Sequence, residues 1–556
     1  MLLATSGLLV AGLINTALSQ YFLLALEGIT TLLSKYHEGV EISYKEPRIC
    51  ETTPGVKSYS GYFHLPPGLL SDIAGEQQDY PMNTSFWCSE SRKDPHNAPL
   101  SIWLNGGPGG SSLMGLLQEL GPCFVNSDSN STYLNPWSWN NEVNMLFLDQ
   151  PEHVGFSYDT LSNGTWGFQA EDVGASNIIL GNFSNGVPEQ NATHLVGTFS
   201  SQNVNTFSFE FPAYTTNNNR ISLWYESYGG HYGPAFFNFF RQQNQKIANG
   251  SISEPGTKYI HLDTLGIING LVDMLKQFTS WPNMAYNNTY GIEAINKTIY
   301  DEMMYTINER GCLERLEKCQ KAIEKHDPGS GRNIDDIEEF CGPDKYCNYN
   351  DSVGSYQNFS KAYNHAFYNI ARSRADNFPH PILTAILAST GKAFEATYDI
   401  VHGGYLQEIS ELLESGVKVA FVYGDRDFAC NLMGGETISL AINYTGTKQF
   451  HAAGYTPILS PGVGIGGQVR QYGNLSFSRV YQAGHQLPSY QPEMACSIFR
   501  RSIFNKDIAT SVVPWVHPRR GISRMLYHRH PNPYAMSFTH RLALRSNGKR
   551  SRMEKQ

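Results

Sequence analysis

A serine held at the apex of a forced turn constrains this chain more than any other feature. Ile221-Ser222-Leu223-Trp224 reads as a buried strand. Tyr225-Glu226-Ser227-Tyr228-Gly229-Gly230 follows at once, and an apolar segment containing Pro234-Ala235-Phe236-Phe237 comes next. A strand, a glycine pair and a helix within so few residues leave the backbone only a tight reversal. Such a turn lifts the Ser227 hydroxyl clear of the sheet, and the amide end of the helix favours negative charge developing beside it.

A serine nucleophile needs a base to take its proton and a carboxylate to orient that base. Two later segments supply them. Val417 to Val422 is a second apolar run, and Gly424-Asp425-Arg426-Asp427-Phe428-Ala429-Cys430 follows it. Asp425 and Asp427 therefore both fall at the C-terminal end of a strand, where α/β folds gather their chemistry. Phe477 to Tyr481 is a third strand-like run, followed by Ala483-Gly484-His485-Gln486-Leu487-Pro488. Each of these residues alone could belong to a surface loop. Serine, aspartate and histidine in that chain order, each just after a strand, predict the α/β-hydrolase fold. The expected architecture is a mixed, mostly parallel central sheet flanked by helices, with a helical cap insertion.

Asn105-Gly106-Gly107-Pro108-Gly109 follows a further strand, Leu100 to Leu104, and its glycines allow close backbone approach to a ligand. With this loop, Glu226-Ser227-Tyr228, Gly424 to Asn431 and Gly484-His485, the chain resembles the serine carboxypeptidases from about Glu46 to about Thr510. The likeness is nearest to secreted fungal members, through Cys50-Glu51-Thr52-Thr53-Pro54-Gly55-Val56-Lys57 and Asn135-Pro136-Trp137-Ser138-Trp139-Asn140. The resemblance implies a triad of Ser227, Asp427 and His485, with Asp425 the runner-up as a turn cap. It implies an oxyanion hole from the N–H groups of Gly107 and Tyr228, and a site for the substrate's terminal carboxylate at Asn105, Gly106, Glu119 and Glu226. Two acids can face an anion only if protonated, so burial and like-charge proximity must raise their pKa. The implied function is removal of C-terminal amino acids from peptides and proteins at acidic pH through an acyl-enzyme. Two alternatives are a catalytically impaired secreted glycoprotein that binds peptides, and a lipase or esterase. Serine hydrolysis requires no metal and no cofactor. The leaving residue's pocket should be bordered by Tyr228 and the neighbourhood of Gln486.

The compartment is read from the N-terminus, the sequons and the cysteines. Leu2 to Leu18 is apolar and short, and Ala17-Leu18-Ser19 precedes Gln20, so residues 1–19 read as a secretory signal. No basic residue stands near Met1, which keeps a membrane anchor as the alternative. Twelve Asn-X-Ser/Thr sequons support secretion: Asn83, Asn130, Asn163, Asn182, Asn191, Asn249, Asn287, Asn296, Asn350, Asn358, Asn443 and Asn474. The expected location is extracellular, with the vacuole as the alternative. In that setting the nine cysteines read as disulfides. The family's nested pairing implies Cys312–Cys347 and Cys319–Cys341, and Cys50 with Cys123 is a plausible third pair. Cys88, Cys430 and Cys496 remain, and Cys430 matches a thiol the family keeps near the catalytic aspartate. A net charge of −9 gives no reason to expect a nucleic acid or an anionic membrane as partner.

Residues 20–273 and 404–510 read as two pieces of one core, with 274–403 a helical cap between them and 511–556 a basic tail. An amphipathic helix is expected at Tyr405 to Glu414. Four features depart from the family's pattern. Tyr225 occupies a position where the elbow normally has glycine, so it must swing outward or strain the turn. Gly110 stands where many relatives have cysteine. Gly197 to Glu210 is short and polar where relatives carry a helix, which would uncover one sheet face. His517 to Gln556 carries ten Lys/Arg and one Glu and lacks the apolar end of a lipid-anchor signal.

Overall fold

The computed structural model describes residues 28–69, 78, 80–128, 130–151, 153–169, 176–184, 207–208, 210–212, 214–253, 258–327, 339–341, 394 and 397–511. Residues 1–27, 185–206, 342–393 and the tail from 512 are the longest stretches outside that set. The expected signal segment, most of the polar 197–210 stretch, much of the cap and the basic tail therefore fall outside it too.

Sixteen strands form among the described residues: β1 (Thr30–Leu33), β2 (Glu41–Lys45), β3 (Ser58–Leu65), β4 (Met82–Ser89), β5 (Leu100–Leu104), β6 (Cys123–Val125), β7 (Thr132–Leu134), β8 (Asn144–Leu148), β9 (Leu161–Gln169), β10 (Ser176–Ser184), β11 (Arg220–Glu226), β12 (His261–Ile268), β13 (Lys418–Gly424), β14 (Thr456–Ser460), β15 (Gly464–Tyr472) and β16 (Leu475–Val480). Twelve of them make one sheet in the order β1-β2-β3-β4-β8-β5-β11-β12-β13-β16-β15-β14. The centre, from β8 to β16, is parallel. Both edges are antiparallel. Every residue of β5, β8 and β13 is buried, which is why these strands read as unbroken apolar runs.

Helices cover both faces. On one, Leu223, Tyr225, Leu265, Ile267, Phe421 and Tyr423 pack beneath helices Gly229–Ala248 and Tyr405–Glu414. The second helix buries Tyr405, Ile409, Leu412 and Leu413, the i, i+4, i+7, i+8 stripe its sequence displays. On the other face Trp103, Trp139, Trp224 and Phe499 cluster, with Trp139 stacked on Phe499 at 3.9 Å between ring centroids. Residues 274–326 are helical, over Met274–Gln277, Ser280–Tyr286, Lys297–Asn308 and Cys312–His326.

Two expectations need correction. Tyr225 does not swing outward. It is fully buried, with its ring edge-on to Phe236. Room for it comes from the helix: a Cβ on Gly229 would meet the Tyr225 Cβ at 2.4 Å, and one on Gly233 would meet its ring at 3.0 Å. The sequon at Asn83 is not a surface site. Asn83 lies within β4, and its Nδ2 donates to the carbonyls of Tyr158 and Asp159 while Oδ1 lies 2.6 Å from His64 Nδ1. A glycan there would displace the strand's side-chain hydrogen bonds. Asn130, Asn249, Asn287, Asn296 and Asn443 are exposed. Asn474 is half-buried, its amide donating to the Gly416 carbonyl. Asn163 and Asn182 lie on β9 and β10, and Asn191, Asn350 and Asn358 lie outside the described residues.

The sheet face expected to lie uncovered is partly covered. Phe207 and Phe211 are buried, stack on each other and meet Phe86 edge-on. Disulfides join Cys50 to Cys123 and Cys319 to Cys341. Cys312 is also disulfide-bonded, and its expected partner Cys347 lies outside the described residues. Cys88, Cys430 and Cys496 are free and buried. No helix among the described residues is long and apolar enough to cross a membrane.

Candidate active site

β11 ends at Glu226, and the helix Gly229–Ala248 begins three residues later. The reversal puts Ser227 at φ 61°, a left-handed conformation that a non-glycine residue holds only when its surroundings fix it. They do so from the neighbouring strand's end. Ser227 N–H donates to the Ile268 carbonyl at 3.0 Å, and the Ser227 carbonyl accepts from Leu271 N–H at 2.9 Å.

β13 delivers Asp427 and β16 delivers His485. His485 Nδ1 lies 2.8 Å from Asp427 Oδ2. Asp427 is fully buried, and its two oxygens also accept from the N–H groups of Ala429 (3.0 Å) and Cys430 (3.3 Å). Burial works against the charged imidazolium, but the Asp427 and Glu119 carboxyl groups outweigh it and raise the His485 pKa. Asp425 takes no part in this pair. Its oxygens accept from Gln482 N–H (2.8 Å), the Tyr290 hydroxyl (2.6 Å) and Arg479 Nη2 (3.1 Å), so it ties the acid turn to residue 290.

The Ser227 hydroxyl lies against the Cys430 thiol, and the ligand atoms of Cys430, Asp427 and His485 all fall within 4.8 Å of one another. Ser227 and His485 are not joined by a direct hydrogen bond, although both border the same small space. Catalytic hydrogen bonds are often loose before substrate binds. Burial and then the Asp427 carboxylate hold the Cys430 thiol well above its ordinary pKa, so it stays protonated and does not compete as a nucleophile.

The glycine loop lies directly against the nucleophile. A Cβ on Gly106 would meet Tyr228 N at 2.4 Å, the Glu226 carbonyl at 2.5 Å and Ser227 Cβ at 2.9 Å. Gly107 sits at φ 127°, open to glycine alone. Gly110 N–H closes the loop onto the Gly106 carbonyl at 2.8 Å.

Beside it, Asn105 Nδ2 reaches Glu226 Oε2 (3.0 Å) and Glu119 Oε1 (3.2 Å), while Asn105 Oδ1 accepts from Trp103 Nε1 and Gly115 N–H. Glu119 and Glu226 are fully buried and lie close enough to share a proton, and Asn105 leaves Glu119 Oε2 and Glu226 Oε1 without a donor. Burial raises Glu119 to about 7, against the pull of Asn105, Glu226 and His485. Burial first and Glu119 second hold Glu226 well above the usual carboxylate range. Two neutral carboxyls can donate hydrogen bonds to an anion, which is the chemistry expected at a peptide's free end.

Other residues brace this site, and the sequence reading did not single them out. Asp149, one residue past β8, accepts from Ser111 Oγ (2.7 Å), Ser112 N–H (2.8 Å) and Phe156 N–H (3.1 Å), and burial raises its pKa to about 6. Ser112 Oγ in turn accepts from Asn105 N–H. The Tyr228 hydroxyl donates to Asp399 at 2.5 Å, and its ring stacks on His231. Asn269, one residue past β12, contacts the loops of both Asp427 and His485. Asp149 and Asn269 carry a signal in the sequence: both are polar residues at the C-terminal end of a central strand.

A family model described as serine carboxypeptidase matches residues 47–505. Carboxypeptidase S1 homolog B of Arthroderma otae is 49% identical over 534 residues, covering 88% of this chain and 79% of the relative. Carboxypeptidase S1 homolog A of Trichophyton rubrum is 44% identical, covering 90% of this chain and 81% of the relative. Carboxypeptidase S1 of Penicillium janthinellum is 33% identical, covering 84% of this chain and all of the relative. The solved structure of Kex1Δp, a prohormone-processing carboxypeptidase from Saccharomyces cerevisiae, aligns with a TM-score of 0.52 at 22% identity. It covers 80% of this chain and 90% of that one, a likeness of fold.

Proposed function

Since this chain belongs to the serine carboxypeptidase family, we propose that Ser227, Asp427 and His485 carry its acyl-transfer cycle at the last peptide bond of a substrate. The chain is a serine-type hydrolase of peptides. In the proposed cycle His485 Nε2 takes the Ser227 proton as Oγ attacks the terminal peptide carbonyl carbon. Asp427 holds Nδ1–H and so fixes which nitrogen is the base. The tetrahedral oxyanion receives the N–H groups of Gly107 and Tyr228. His485 then passes its proton to the leaving nitrogen, the C–N bond breaks and the C-terminal residue departs as a free amino acid. Water repeats the sequence on the Ser227 ester and restores the serine.

The observation that carries the choice of a chain end is the pair of buried, proton-bearing carboxyls on one asparagine. Glu119 and Glu226 lie against each other and each offers an oxygen that no donor of the chain occupies, and with Asn105 and the Gly106 backbone they form the proposed cradle for the terminal carboxylate. An esterase has no use for such a cradle. The intact Ser227, Asp427 and His485 set gives no support to a binding module without catalysis. The region 274–403 is read as a cap over the site, and the sequence at 1–19 supports secretion, with vacuolar delivery as the other outcome of a localisation experiment.

A fluorophosphonate probe and a blocked dipeptide test this reading at acidic pH. Labelling that disappears in Ser227→Ala, together with release of the C-terminal amino acid, is expected. Turnover that survives Ser227→Ala, or ester cleavage with no peptide cleavage, would refute it.

A further inference from the structure

We propose that Asn269 is a positioning residue for the reaction, setting the His485 loop and the Asp427 turn in register with the nucleophile. The inference rests on the reading of Ser227, Asp427 and His485 given above and goes beyond it. β12 lies between the nucleophile strand β11 and the acid strand β13, and Asn269 is the first residue past its end. It is fully buried and sits at φ 45°, a left-handed conformation asparagine tolerates better than most residues.

Its side chain is used completely. Oδ1 accepts from Gly424 N–H at 2.7 Å, at the start of the acid turn. Nδ2 donates to the carbonyls of Gly484 at 2.9 Å and His485 at 2.6 Å. One N–H on one side and two carbonyls on the other fix the amide's orientation, because the flipped amide would set oxygen against both carbonyls. Its backbone N–H donates to Val422 at 2.9 Å. The residue before it accepts the Ser227 N–H and the residue two on donates to the Ser227 carbonyl. Residues 268–271 thus contact the serine turn, the acid turn and the histidine loop together.

The fit between those loops has little slack. A Cβ on Gly424 would meet the Ala483 carbonyl at 2.5 Å and the Gly484 carbonyl at 2.8 Å. The His485 ring is held at its tip by Asp427, while its backbone carbonyl accepts from Asn269 and from Leu487 N–H at 2.9 Å. Without the amide, the backbone that sets the height of the imidazole over Ser227 loses its bond to the central sheet. A displacement near 1 Å in a reacting group costs roughly 100-fold in rate.

Two substitutions isolate this role. Asn269→Gly deletes the amide while leaving the left-handed backbone unstrained. Its kcat should fall by roughly 10- to 100-fold with KM within about twofold, and fluorophosphonate labelling should slow in proportion. Asn269→Asp adds a readout that a purely structural residue would not move. Protonated, the introduced carboxyl can accept from Gly424 and donate to the His485 carbonyl. Ionised, it sets negative oxygen against two carbonyls. Its activity relative to wild type should therefore rise as pH falls and collapse as pH rises. The titratable and charged groups on the loops it touches are Asp425, Arg426, Asp427, Cys430 and His485, which wild type also has, so the ratio to wild type isolates the new group. Wild-type kcat in Asn269→Gly, or an Asn269→Asp profile parallel to wild type, would overturn the proposal. If Asn269→Gly does not fold, the second profile decides alone. Turnover that persists in Ser227→Ala would instead overturn the underlying reading, whatever the Asn269 variants do.

Discussion

Replacing Glu119 by glutamine should extend carboxypeptidase activity to higher pH. Glu119 is fully buried, faces Glu226 across the Asn105 amide and lies within the field of His485. Its pKa rises from 4.5 to about 7, so ionising it in the folded chain carries a penalty on the order of 3 kcal/mol. Below that pH it is neutral and can donate to a substrate carboxylate. One unit above, about a tenth of the molecules retain the proton, so kcat/KM for a peptide acid should drop about tenfold per unit. Glutamine keeps a donor and never ionises, and the alkaline limb should move upward to whatever Glu226 sets. A blocked peptide amide is the control substrate, since it carries no charge for Glu119 to recognise.

Stability provides a second readout of the same proton. The folded chain holds it between pH 4.5 and about 7, where an unfolded glutamate would release it. The stabilisation from this group is therefore complete below 4.5 and lost as pH rises through about 7. Wild type should lose unfolding free energy across that window, and Glu119→Gln should flatten the slope. Wild-type profiles that run parallel for the peptide acid and the amide, or a Glu119→Gln profile with its alkaline limb in place, would refute the carboxyl-pair argument.

Two further outcomes follow from the packing. Gly106→Ala places a methyl within 2.4 Å of Tyr228 N and 2.9 Å of Ser227 Cβ, so the loop must retreat. Its kcat should fall by roughly 100-fold or more and its melting temperature should drop as the buried backbone gives way, as measured by steady-state kinetics beside calorimetry. Tyr225→Gly, which restores the commoner elbow residue, should destabilise the chain by about 3–5 kcal/mol in chemical denaturation, because the buried ring leaves a cavity between β11 and the helix above it.

What the sequence disclosed and what it hid divide along one physical line. β5 and the helix Tyr405–Glu414 form with the bounds expected, because a two-sided buried strand and an i, i+4 stripe are written in consecutive residues. Tyr225 was misread because its accommodation depends on Gly229 and Gly233, residues of the next element that a motif aligned on Ser227 does not weigh. Asn83 was misread for the same reason. Three residues define a sequon, but the carbonyls that occupy its amide belong to Tyr158 and Asp159. The antiparallel edges were not read at all, since half-exposed strands such as Thr456–Ser460 lack an unbroken apolar run. The centre shows the limit most sharply. Asp427, Asp149 and Asn269 are all polar residues just past the C-terminal end of a central strand, and only the motif around Asp427 sets one of them apart in the sequence. Their parts differ because β12 is inserted between β11 and β13, while β8 lies beyond β5 on the glycine-loop side. Order in the sheet, which spacing along the chain does not encode, decides which residue faces the histidine and which two hold the surrounding loops.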